Sequence, residues 1–201
     1  MAGRLYVISG PSGAGKSTII RRVMKEVPDL EYSVSHTTRQ PRQKEVDGVD
    51  YHFVDSETFL KMIREEDFLE WAKVYDDLYG TSLSVLHRRL DMNKDVILDV
   101  DVQGAANVRL KFEDAVLIFI LPPSLEVLEE RLRNRGTESE NGFRNRTEKA
   151  LHEIGESRHY DYIVFNDELR EGVKKVASII LAERCRSRLL FPKTTEIFGI
   201  R

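Results

Sequence analysis

The sequence predicts an α/β fold: a doubly wound parallel sheet with helices on both faces. Three observations predict it. A complete G-x-x-x-x-G-K-[ST] motif, Gly10 to Ser17, stands between an apolar β-branched run and a helical stripe. Short apolar runs recur at Val96–Val100, Val116–Ile120 and Tyr162–Phe165, the pattern of strands buried on both faces. Helical spacing separates them, with Leu125, Leu128 and Leu132 in one segment and Leu169, Val173, Val176 and Ile180 in another. Strands alternating with helices form a parallel sheet.

The first strand is Leu5-Tyr-Val-Ile8, and the helix after the motif carries Ile19, Ile20, Val23, Met24 and Val27 before Pro28 stops it. Between them, Gly10, Gly13 and Gly15 allow the backbone of Gly10-Pro11-Ser12-Gly13-Ala14-Gly15-Lys16-Ser17-Thr18 to turn several N–H groups into one concavity. An anion held there also meets the positive end of the following helix. Lys16 can reach the β- and γ-phosphates, and the Ser17 hydroxyl can ligate Mg²⁺. These residues predict a nucleoside triphosphate site on a sheet of the P-loop NTPase type.

Composition bounds the rest. A chain of 201 residues suits one domain with a substantial core. Its 31 basic and 34 acidic side chains are near balance, so no general electrostatic grip on nucleic acid is expected. One cysteine, Cys185, cannot form an internal disulfide and suits a reducing cytosol. No apolar run of about 18 residues offers a membrane span. The Met-Ala-Gly-Arg-Leu start leads directly into the first strand, without room for a signal peptide. A cytoplasmic setting is expected, with a homo-oligomer left open.

Two segments break the alternation. Residues 33 to 81 are rich in Thr, Arg, Tyr and acids, and read as an inserted substrate region with short strands. Within it, Arg39 and Arg42 flank Pro41, with Glu45, Gly48, Asp50 and Tyr51 following. Two guanidinium forks with the Ser35 and Tyr51 hydroxyls suit a phosphomonoester; the alternative is an exposed basic loop paired with neighbouring acids. Residues 133 to 147 are polar, charged and Gly-bearing, which suits a mobile lid. Asp99 and Asp101 end an apolar strand at the edge where open α/β sheets bind ligands. They could polarise Mg²⁺-bound water, or a carboxylate could instead cap the next helix. The five histidines show no ligand spacing. From Ser187 onward no pattern is evident.

Phe68-Leu-Glu-Trp71 and Leu78-Tyr-Gly-Thr81 complete a series that resembles the guanylate kinase family. The other matching segments are the Gly10 to Thr18 loop, Ser33 to Arg42, Glu45 to Phe53, Ile97 to Gly104, Pro122-Pro-Ser124, Arg135 to Glu140 and Asn166-Asp167. The resemblance runs in order from about residue 3 to residue 184. It implies a core of 3–32, 82–132 and 148–184, a GMP-binding region of about 33–81, a lid of about 133–147, and a tail, 187–201, without an assigned role.

By that resemblance, Ser35, Arg39, Arg42, Tyr51 and Tyr79 hold the GMP phosphate. Glu70, Thr81 and Asp101 face the guanine, and Glu45 and Asp99 lie near the nucleotide or its metal shell. Guanine offers donors at N1 and N2, which a carboxylate accepts as a fork; adenine opposes it with a lone pair. Arg135 and Arg146 match lid arginines that close over the ATP phosphates, and Asn166 lies on the ATP side. Which of Asp99 and Asp101 serves metal and which serves the base stays open. The Asn141-Gly142-Phe143 stretch departs from the family pattern, and Gly142 predicts a lid helix that starts late or frays. The implied reaction is ATP-dependent phosphorylation of GMP and dGMP with Mg²⁺. Its rivals are a non-catalytic interaction module of the same fold and a kinase of another phosphomonoester.

Overall fold

The computed structural model describes residues 3–74, 76–133 and 140–199. In chain order the elements are β1 (Leu5–Ser9), α1 (Lys16–Glu26), β2 (Leu30–Tyr32), β3 (His36–Thr37), β4 (His52–Phe53), α2 (Ser56–Arg64), β5 (Phe68–Val74), β6 (Asp77–Ser82) and α3 (Leu83–Asp91). There follow β7 (Asp95–Asp99), α4 (Val102–Lys111), β8 (Val116–Leu121), α5 (Leu125–Arg133), α6 (Glu140–Gly155), β9 (Tyr162–Phe165), α7 (Leu169–Arg184) and α8 (Ser187–Phe198).

Among the described residues, five strands form a parallel sheet in the order β2-β7-β1-β8-β9. The order reverses around β1, so crossover helices cover both faces. One face packs Tyr6, Ile8, Ile97, Ile118 and Ile120 against Ile19, Val23, Val173, Val176 and Ile180 of α1 and α7. The other packs Leu5, Val7, Val96, Leu98 and Leu117 against Leu86, Leu90, Ala105 and Val108 of α3 and α4. Alternate residues of β1 thus enter opposite cores, as the period-2 side-chain alternation of a strand requires.

The second sheet, order β4-β3-β6-β5, lies within the inserted region. Phe59 of α2 stacks on Phe68 of β5, with ring centroids 4.4 Å apart, and anchors its back. Gly80 makes room: a Cβ there would stand 2.8 Å from the Phe68 ring.

The structure departs from the expectations at four places. The Tyr162–Phe165 strand is not buried on both faces: Ile163 and Phe165 share one face of the edge strand β9 and are 45% and 48% exposed, while Val164, on the other face, packs in the core with α1 and α7. β2, at the opposite edge, carries no apolar run and was invisible to periodicity. The patternless tail forms the helix α8, with Pro192 inside it and none of its residues buried. The helix bearing Gly142 does not start late: α6 begins at Glu140 and continues unbroken past the expected boundary at 147 to Gly155. Phe143, Ala150 and Ile154 pack against Leu128 and Leu132 of α5, burial that outweighs the ~1 kcal/mol helix cost of one glycine.

Buried charge closes the far end of the sheet. Arg4 meets Glu183 at 2.9 Å, both nearly inaccessible, while Arg184 meets Asp95 at 2.8 Å. The Tyr162 hydroxyl donates to Glu183 at 2.6 Å, tying β9 to α7.

Candidate active site

The Gly10 to Ser17 loop joins β1 to α1 at the carboxyl edge of the sheet. Gly10 has φ +139°, and a Cβ there would lie 2.2 Å from the Ile120 carbonyl oxygen, so only glycine lets the loop leave the sheet this way. Gly15 caps α1 without a side-chain hydrogen bond, and no acid stands in the first turn. The first N–H groups of α1 and its dipole therefore face the cavity without a carboxylate to compete for them. Lys16 Nζ donates to the Gly10 carbonyl at 2.7 Å, folding the ammonium back over the loop.

The loop is braced from outside. Asn166, nearly buried after β9, donates through Nδ2 to the Ala14 carbonyl at 2.8 Å, and an Arg131 guanidinium N–H donates to the Gly13 carbonyl at 3.2 Å. Asn166 thus stands behind the loop. Pro11 and Ala14 are buried, while Ser12, Ser17 and Thr18 are exposed.

One cavity of about 320 Å³ joins the loop to the inserted region. Its walls include Lys16, Ser17, Ser35, Tyr51, Asp99 and Asp101. Asp99 ends β7 beside Ile8 of β1. Burial pushes its carboxyl above the ordinary range, and Lys16 partly offsets this. Asp101 caps α4, its Oδ1 accepting the Gly104 N–H at 2.8 Å. The capping alternative is therefore realised at Asp101, which also lines the cavity.

The arginine pair divides. Arg39 reaches both Glu45 oxygens, at 2.9 and 2.8 Å, and donates Nε–H to the Tyr79 hydroxyl at 3.2 Å. Its guanidinium lies 5.5 Å from the centre of the Tyr51 ring, which meets Tyr79 edge-on. Glu45 also accepts the Arg42 N–H at 2.8 Å. Burial raises the Glu45 carboxyl, but the Arg42 N–H and the Arg39 guanidinium outweigh it and hold the group low. Arg39 pairs with an acid, as the alternative reading of the loop expects, and that acid holds its fork beside the two tyrosines. Arg42 is exposed.

Glu70 lies on β5. It is 8% exposed and accepts the Thr81 hydroxyl at 2.7 Å across the β5–β6 pair. Burial raises its carboxyl, the Thr81 hydrogen bond opposes that, and Asp101 adds to it. A Cβ on Gly104 would come within 3.2 Å of Glu70 Oε2. The absent side chain lets the carboxylate sit against α4, next to Asp101. Glu70 and Thr81 are not among the residues that line the loop cavity.

Arg146 of α6 lines an adjoining cavity of about 770 Å³ with Lys73, Asp101, Gln103 and Glu153. Arg135 falls outside the described residues. Sequence reasoning missed Glu153, which borders both cavities and is 8% exposed. Its signal was positional: it stands one helical turn after Ala150, on the inward face of α6. Burial raises its carboxyl, against the pull of Lys149 and Lys16. Tyr32 and Val100 also line the loop cavity without having been singled out.

Comparison with known proteins agrees with this architecture. A family model described as guanylate kinase matches residues 2–183. The guanylate kinase of Caldanaerobacter subterraneus subsp. tengcongensis is 50% identical over 184 residues, 92% of this chain and 89% of that protein. That of Geobacter sulfurreducens is 44% identical over 198 residues, 98% of each. The crystal structure of guanylate kinase from Anaplasma phagocytophilum superposes with a TM-score of 0.81 at 29% identity, covering 100% of this chain and 97% of the other.

Proposed function

As the chain belongs to the guanylate kinase family of nucleoside monophosphate kinases, we propose that it transfers the γ-phosphoryl group of ATP to GMP and dGMP. The observation that carries this reading is the single cavity shared by the phosphate loop and by Ser35 and Tyr51 of the inserted region. Donor and acceptor phosphates have to meet in line, and a shared cavity brings their ligands together.

On the donor side, the Gly10 to Ser17 amides and the α1 N-terminus hold the triphosphate. Lys16 leaves the Gly10 carbonyl for the β- and γ-oxygens. Asn166 acts at one remove, by holding the loop through Ala14. On the acceptor side, Ser35, Tyr51, Tyr79 and the Arg39 fork take the GMP phosphate, Arg42 closes the rim, and Glu45 keeps Arg39 oriented before substrate arrives. Glu70 and Asp101 accept the guanine N1–H and N2–H groups, with the Thr81 hydroxyl fixing Glu70. The GMP phosphate is ionised near neutral pH, so no strong general base is needed. Catalysis rests on positioning and on charge neutralisation by Lys16 and the lid arginines Arg146 and Arg135.

The donor set suits Mg²⁺: the exposed Ser17 hydroxyl and two carboxylates are hard oxygen ligands. Asp99 fits the role of outer ligand through water, since a cation would relieve the cost of its burial, whereas Asp101 is committed to α4 and adjoins Glu70. Ser17, with Asp99 through water, would hold the ion, which would supply positive charge to offset the charge developing on the transferred phosphoryl group. The inserted region, about 33–81, would form the acceptor domain and α6 the arm of the lid.

A coupled assay over GMP, AMP, CMP and UMP tests the reading. GMP should be preferred, and E70Q should erode its kcat/KM advantage over AMP by ~1–3 kcal/mol, because the Gln NH₂ opposes a donor edge. Equal GMP/AMP ratios in wild type and E70Q would remove Glu70 from base recognition, and no turnover of any nucleotide would favour the interaction-module reading.

A further inference from the structure

Two histidines face each other in the small sheet, outside the residues that line the loop cavity. β3 and β4 pair in parallel with His36 opposite His52, and their ring centroids lie 4.7 Å apart. His36 meets Phe68 edge-on, and its buried Nδ1 has no hydrogen-bond partner among the described residues. Each histidine follows a cavity residue in sequence: Ser35 precedes His36 and Tyr51 precedes His52. The His52 N–H donates to the Ser35 carbonyl at 2.9 Å, joining the two segments. His36 also registers with Gly80, between Tyr79 and Thr81.

We propose that His36 and His52 are positioning residues for the acceptor: as a neutral pair of tilted, facing rings they hold Tyr51 beside Ser35, and protonation of the pair parts it. The inference rests on the reading of Ser35 and Tyr51 as ligands of the acceptor phosphate. Neutral rings pack at this separation and 31° tilt, whereas a charged imidazolium at His36 gives up hydration in a site only partly open to water. Burial is the main influence holding His36 below its ordinary range, His52 adds to it, and Asp67 and Asp47 oppose it. Those acids are already engaged, Asp47 by the Phe53 N–H and Asp67 by Ser82 and Ser84. From β5 His36 meets the uncharged Phe68 edge-on, and from β6 it registers with Gly80. The paired arrangement therefore binds fewer protons than the parted one. It is favoured as pH rises and is lost as pH falls below about 6.5.

The test compares wild type with H52F, which keeps a ring without a titratable nitrogen, by measuring KM for GMP and for ATP at pH 8 and pH 6. Both proteins meet the same substrate ionisation, with a phosphate second pKa near ~6, so only their difference reports the histidines. From pH 8 to pH 6, KM for GMP should rise about 5-fold or more in wild type beyond its rise in H52F, while KM for ATP moves in parallel in the two proteins. H36F provides the same comparison if H52F does not fold. Coincident GMP profiles overturn the proposal. S35A at pH 8 tells its failure from that of the site reading. An unchanged KM for GMP in S35A overturns the site reading and the proposal with it; a raised KM beside coincident histidine profiles overturns the proposal alone.

Discussion

Lys16 illustrates how a side chain is held ready before its ligand arrives. Its ammonium rests on the Gly10 carbonyl at 2.7 Å, within the loop it is proposed to complete. Because a positive charge at the β- and γ-oxygens matters most as the phosphoryl group transfers, K16A should lower kcat by ~10²-fold or more. Retention of a tenth of wild-type turnover would refute that role. Arg39 carries a sharper geometric demand. Its fork is set by both Glu45 oxygens and by Tyr79, a planar arrangement that an ammonium cannot reproduce. R39A should raise KM for GMP by ~10-fold or more with KM for ATP little changed, and R39K should recover little of it. A rise confined to ATP would show that the residue serves the donor.

At the scale of elements, α6 connects the proposed lid to the floor of the site. Arg146 lies in the wall of one cavity, and Glu153, two turns further on, borders that cavity and the loop cavity together. The Phe143–Ala150–Ile154 stripe fastens the helix to α5, whose Arg131 braces the loop carbonyl of Gly13. An arginine carried on such an arm can meet charge late, when phosphoryl transfer is under way. R146A should therefore cut kcat by ~10²-fold or more while equilibrium binding of ATP and GMP changes less. Titrating both nucleotides beside kcat decides it: a loss of affinity alone would make the arm a clamp.

Across the whole molecule, the ends of the chain are joined by charge as well as by the apolar core. Arg4, just before β1, and Glu183, near the end of α7, form an ion pair with almost no exposure. Removing one partner leaves the other buried and uncompensated, so E183Q should cost ~3–5 kcal/mol. In a chain of this size the melting temperature should fall by at least ~6 °C, as differential scanning calorimetry would record. Burial raises the Glu183 carboxyl, but Tyr162, Arg186 and Arg4 together hold it below its ordinary value. The folded state then binds fewer protons than the unfolded one on acidification. This contribution is complete above about pH 4.3 and is lost as pH falls through the lower, folded value. E183Q should flatten that acid limb. A melting temperature and acid limb like those of wild type would show that the pair contributes nothing.

The parallel sheet, the phosphate loop and the order of site segments were legible in the sequence. Apolar runs, helical spacing and a strand–loop–helix motif are local patterns, and backbone geometry reads them directly. Edges were not legible: whether Ile163 and Phe165 are covered depends on which element packs over that face of β9, and β2 is too short to carry a period. The capping of α4 by Asp101 was one of two readings that local sequence allowed. The packing of Glu70 against Gly104 and the bracing of the loop by Asn166 depend on segments far apart in the chain, which only folding brings together. The α8 helix escaped notice because no buried stripe marks it. Glu153 was hidden for the opposite reason: a carboxylate at an inward helix position reads as surface until burial is known. The sequence alone determined which chemical groups the molecule carries and in what order. The tertiary structure decided which of them share a cavity, because proximity between distant segments is set by packing and has no local signature.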